Sequence, residues 1–74
     1  MIVEVEKKHM RDMFWRTEKY KAHIPVWNIK QLYCNEEDDV CWFELMGEED
    51  YGYFISKEDF VRIGTAISKM EGVK

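Results

Sequence analysis

The stretch that most restricts the fold is Val40-Cys-Trp-Phe-Glu-Leu-Met46, an apolar run held between the acidic clusters Glu36-Glu-Asp-Asp39 and Glu48-Glu-Asp50. As a strand it sends Cys41, Phe43 and Leu45 to one side and Val40, Trp42 and Glu44 to the other. Both sides are bulky, so a sheet containing this strand needs cover on each. The clusters read as polar loops, which fold the flanking segments back antiparallel. Those segments, Ile29–Cys34 and Tyr51-Gly-Tyr-Phe-Ile55, are β-branched and aromatic. The expected unit is a meander of three antiparallel strands.

A helix should follow it. Ser56 places a hydroxyl ahead of Lys57-Glu-Asp59, a capping-box arrangement, and Phe60, Ile63, Gly64, Ile67 and Met70 then recur at helical spacing. The spacing predicts a helix over Lys57–Glu71, with Gly72 as its stop. The N-terminal part carries mixed signals. Met1–Glu6 alternates as a strand does, and Met10, Met13 and Phe14 have helical spacing. From Phe14 to Ile24 every second residue fits a half-buried strand face, so Met13–Ile24 is read as β and closed by Pro25.

Seventy-four residues with one proline and no low-complexity run make a single small domain, residues 1–74, near the lower size limit for a self-sufficient core. The fold class expected is α+β: a small twisted antiparallel sheet with one C-terminal helix. With 46% hydrophobic and 15% aromatic residues, disorder is excluded and a shared interface is expected. A chain this short does not easily hide three Trp, four Tyr and four Phe alone, so a homo-oligomer is predicted. No run approaches a bilayer span or a signal peptide, so the chain is expected to be soluble and cytoplasmic.

Charge is unevenly placed. Between Lys7 and Lys21 six basic residues face two acids, whereas Asn35–Asp59 holds ten acids and one base. Such asymmetry can join halves of one fold, join two copies, or steer a charged partner.

Ile24-Pro-Val-Trp-Asn-Ile-Lys-Gln-Leu32, Cys41-Trp-Phe-Glu-Leu45, and Tyr53-Phe-Ile55 before the Ser56-capped helix follow a familiar order. Across residues 22–68 this pattern resembles the flagellar FlbD-like family of small β-proteins. That resemblance implies an SH3- or Sm-like sheet capped by a helix, often in oligomers, and no catalytic residues. The basic N-terminal section and the acidic loops depart from the family. Small, aromatic, acidic proteins of this type also resemble phage-encoded host-takeover factors, which bind and inhibit larger host proteins.

The residues argue against most chemistries. The two acidic loops lie at opposite ends of one strand, on the order of 20 Å apart, too far to share an ion. Cys34, Cys41, His9 and His23 match no zinc spacing, and no nucleophile elbow, phosphate loop or redox Cys-x-x-Cys is present. Neither a metal nor another cofactor is expected, and the chain is not read as an enzyme. Cys34 and Cys41 fall on neighbouring strands and could face each other, as a disulfide or as two thiols. The acids could also imitate nucleic-acid charge, but polar loops that keep a sticky sheet soluble explain them more simply.

Two binding readings remain. The favoured one is a non-catalytic protein-binding module, of the phage regulator or inhibitor type, that occludes a partner surface through Trp42, Trp15, Trp27, Tyr51, Glu48 and Glu49. The alternative is nucleic-acid or nucleotide binding through the basic-aromatic segment, with Lys7, Lys8, Arg11, Trp15, Arg16 and Tyr20.

Overall fold

The computed structural model of the chain describes residues 1–11 and 18–71. Its elements are β1 (Ile2–His9), β2 (Lys19–His23), a 3-10 turn (Val26–Asn28), β3 (Ile29–Asn35), β4 (Val40–Leu45), β5 (Tyr51–Ile55) and α1 (Lys57–Glu71). The strands form one antiparallel sheet in the order β2-β1-β5-β4-β3. The expected meander is its β3-β4-β5 half, and β1 adds on the far side of β5. The α+β class therefore holds, with two more strands than the meander alone.

β1 is longer than Met1–Glu6 suggests, and it serves two neighbours. Ile2–Glu6 pairs with β2, while Glu6–His9 pairs with β5. Of the strand expected over Met13–Ile24, the structure shows Lys19–His23; residues 13–17 fall outside the described residues. Pro25 ends it as expected. The ladder finishes with the Ile24 N–H donating to Met1 O at 2.8 Å, and Pro25 O then accepts from the Asn28 N–H at 2.8 Å to form the turn.

That turn bends the sheet. β2 and β3 are opposite edges, which in a flat sheet of this width lie about 19 Å apart. His23 and Ile29 also sit at opposite ends of their strands. Six Cα steps, three of them in a 3-10 turn, reach only about 16 Å. The sheet must coil to bring its edges together.

Coiling encloses the core. Val3 and Val5 of β1, Ile24, Phe43 and Leu45 of β4, Tyr53 of β5 and Ile63 of α1 form one buried cluster, with Leu32, Ile55 and Ile67 packed around it. α1 lies on β3, β4 and the 3-10 turn, against the inner sheet face. Its cap is half of the expected box: the Asp59 N–H donates to Ser56 Oγ at 3.1 Å, but the Asp59 carboxylate takes Arg62 at 2.8 Å. The apolar stripe also ends early, since Met70 is exposed. Among the described residues no helix is long and apolar enough to cross a membrane.

Candidate protein-binding face

The alternation read from Val40–Met46 is observed. Cys41, Phe43 and Leu45 are buried beneath α1, and Trp42 and Glu44 look the other way. Register then decides what surrounds Trp42. Tyr33 is opposite Trp42, Trp42 opposite Phe54, Phe54 opposite Glu6, and Glu6 opposite Lys19. Cross-strand partners share a face, so one row crosses all five strands with three adjacent aromatic residues at its centre. Tyr33 and Trp42 stack at 4.0 Å between centroids and 18° between planes, and Trp42 and Phe54 at 5.9 Å and 27°. The Lys8 ammonium sits 5.1 Å from the Phe54 centroid.

Gly52 makes room for an additional apolar group beside the rings. A Cβ there would meet Met10 Sδ at 2.6 Å and ring atoms of Phe54 and Trp42 at 3.4 Å. The thioether thus lies over the bare backbone at the edge of the aromatic row, a contact suited to its polarizable sulfur. Beyond Glu44 the same alternation leads to Met46, which is 49% exposed. Met10 comes down over this face at Gly52, whereas the inner face has α1.

Of the other predicted partner-binding residues, Trp27, Tyr51, Glu48 and Glu49 lie at the β4–β5 loop end of the sheet, and Trp15 is outside the described residues. Trp27, on the 3-10 turn, is 73% exposed. The turn is tied to this end because the Met46 N–H donates to Asn28 O at 2.9 Å and Asn28 Nδ2 donates to Met46 O at 3.3 Å. Tyr51 packs edge-on to His9 at 5.2 Å, with the Lys7 ammonium 4.4 Å from its ring centroid. Glu49 lies 3.9 Å from Lys30 and accepts the Gly47 N–H. Glu48 is not a free loop acid: its Oε1 accepts from Lys7 Nζ at 3.1 Å and from Tyr53 Oη at 3.0 Å. Those two bonds, led by Lys7, hold the Glu48 carboxyl below its ordinary range. Burial works to lower the Lys7 ammonium, but the bonds to Glu48 and Tyr53 leave it raised. Burial acts the other way on the Tyr53 phenol and pushes it up. Lys7 and Glu48 thus form one structural unit and cannot report separately on two binding modes.

The nucleotide-binding set is dispersed. Lys7 is on the inner face in that cluster, and Lys8 is on the outer face, paired with Glu6 at 3.0 Å. Arg11 is exposed, with its N–H on His9 Nδ1. Tyr20 opposes Val5 yet remains 44% exposed. Trp15 and Arg16 lie outside the described residues.

The acidic clusters are loops with local partners. Asn35 organises the first, its Oδ1 accepting the Glu37 N–H at 3.0 Å and its Nδ2 donating to Asp38 at 3.1 Å. An open cleft of about 450 Å³ lies where the first half of β1 parts from β5, lined by Glu4, Glu6, Lys19, Asp39, Glu58 and Asp59 among others. Its acids have cations to hand, Asp39 with Lys57 at 3.7 Å and Asp59 with Arg62 at 2.8 Å. Among the described residues no three His, Cys, Asp or Glu side chains are placed to hold a metal ion.

Tyr33 and Phe54 join Trp42 in the aromatic row although the sequence did not single them out. The short loop after Asn35 pairs Asn35 with Val40, and Tyr33 then falls opposite Trp42 by counting. No protein-family model, curated protein or solved structure matches the chain, so the likeness to flagellar FlbD-like proteins rests on the residue pattern alone.

Proposed function

We propose that the chain is a non-catalytic protein-binding module whose outer sheet face docks on a larger protein and occludes it. The observation that carries this reading is the row Tyr33, Trp42 and Phe54, with Met10 at its edge, on the face opposite α1. Aromatic side chains on a rigid sheet supply contact area at low entropic cost, and aromatic and methionine side chains are both enriched at interfaces. The Tyr33–Trp42–Phe54 stack fixes the three rings before any partner arrives, which reduces the ordering cost of association.

Electrostatics favours a protein over a nucleic acid. The register puts Glu4, Glu6 and Glu44 on the same face as Lys8, Lys19 and Lys21, and Lys8 is already paired with Glu6. Nucleic-acid affinity draws mainly on cations that neutralise phosphates, and a face with as many carboxylates as ammonium groups supplies little of it. Larger host proteins are the partner class that the resemblance to phage-encoded host-takeover factors implies; a second copy of the chain would use the same apolar surface.

Affinity capture with the wild-type chain and with the double variant Tyr33→Ala/Trp42→Ala tests this, with circular dichroism confirming that both are folded. The wild type should retain a partner that the variant releases. An oligonucleotide titration at low salt runs alongside. Saturable, salt-sensitive quenching of tryptophan fluorescence there would overturn the protein reading in favour of the nucleotide one.

A further inference from the structure

We infer that Cys34 and Cys41 form a redox site, a dithiol that closes to an intramolecular disulfide by exchange with a low-molecular-weight disulfide and so staples the β3–β4 hairpin. The two residues are direct partners in the ladder. Opposed residues of an antiparallel pair have Cα atoms about 4.5 or 5.5 Å apart, and both separations fall within the range that a disulfide spans without backbone movement. Their Sγ atoms are 2.9 Å apart, and both cysteines are free thiols. They share the inner face, one ladder position along from Tyr33 and Trp42 on the outer face.

Unequal exposure sets the order of events. Cys41 is 1% exposed, while Cys34 is half-buried and open to an incoming molecule. Burial, with help from the bond to Cys34, pushes the Cys41 thiol up to about 11, so at neutral pH it waits in protonated form. The Cys34 thiolate attacks one sulfur of the small disulfide, forming a mixed disulfide and expelling one small thiolate. Cys41 then gives up its proton and attacks Cys34 Sγ, and the second small thiolate leaves. Two electrons pass from the cysteine pair to the small disulfide, which becomes two thiols.

Closure removes freedom from the unfolded chain over residues 34–41 and holds Tyr33 opposite Trp42. For a loop this short the chain-entropy relation gives a rise in the folding equilibrium constant of about 70-fold at most. The inference does not depend on the docking reading, because mass and stability report it without a partner.

The test uses the reduced full chain in oxidised glutathione, quenched by acid, alkylated and weighed. The wild type should become a monomer that has lost two hydrogens and takes no alkyl group, with a higher thermal midpoint than the reduced form. Cys41→Ala should stop at the mixed disulfide, and Cys34→Ser should resist while folded. A wild type that accumulates the mixed disulfide, links chain to chain, or stays reduced until denatured would overturn the inference.

Discussion

Phe43 and Trp42 are neighbours in sequence and belong to different faces, so truncating each in turn weighs the faces against each other. Phe43 is 0% exposed and stacks on Tyr53 at 5.2 Å in the centre of the core. Truncation of a buried Phe to Ala costs about 3–5 kcal/mol, because the lost transfer energy is joined by that of the cavity left behind. A domain of this length has about 4–11 kcal/mol in total. Phe43→Ala should therefore lose from about a quarter to all of the stability at 25 °C, and Phe43→Leu supplies a milder, graded companion. Trp42 loses two stacking contacts, each worth about 0.5–1.5 kcal/mol beyond area, from a half-buried position on the outer face. Trp42→Ala should cost about 1–3 kcal/mol. Urea melts monitored by circular dichroism measure both, with a slope of about 1 kcal/mol per molar for so small a protein. Equal losses for the two alanine variants would show that Trp42 is as deeply covered as Phe43, and the outer face would not be a free surface.

Glycine-to-alanine changes should have opposite signs at two sites where a new Cβ meets nothing within 4 Å. Gly47 holds φ +86° and should lose about 1 kcal/mol through backbone strain, while Gly64 in mid-helix should gain about 0.5–1 kcal/mol, both read from thermal melts. Ser56→Ala removes the oxygen that accepts the Asp59 N–H and should lower stability by about 1 kcal/mol, or a midpoint drop of about 4–8 °C. Because the folded Glu48 carboxyl titrates below its ordinary value of 4.5, its stabilisation is present above that pH and lost as pH falls through the folded value. Glu48→Gln should flatten that acid limb of a pH-dependent urea series. Raised groups act in the opposite sense: Cys41 contributes below pH 9.0 and loses its contribution as pH climbs to about 11, so Cys41→Ala should soften the alkaline limb.

The sequence carried β3, β4, β5 and α1 because their signals are local: alternation within six or seven residues, polar loops at both ends, and a hydroxyl ahead of an apolar stripe. It was less informative about β1, because Lys7, Lys8 and His9 look like the end of a strand. They continue the ladder since Lys7, facing inward after Val3 and Val5, finds Glu48 and Tyr53 at the sheet's end. Lys7 and Glu48 are 41 positions apart, and no spacing rule joins them. Trp42 could be proposed for the candidate face from the bulk on both faces of its strand. Tyr33 needed only the hairpin register, but Phe54 depends on how the loop around Gly47 returns the chain, which the residue types leave open. The basic run is continuous along the chain, whereas strand alternation splits its first two lysines. The ladder divides Lys7 from Lys8 across the two faces and supplies each with a carboxylate.

The central claim is that the row of Tyr33, Trp42 and Phe54 is the surface through which this chain meets its partner. The most direct measurement is the affinity of the captured partner for the wild type and for Trp42→Ala, with folding of both confirmed by the urea melts. Interface aromatics of this kind cost at least about 2 kcal/mol when truncated, so binding should weaken by about 30-fold or more. Unchanged affinity in a folded Trp42→Ala chain would contradict the account and place the interface elsewhere.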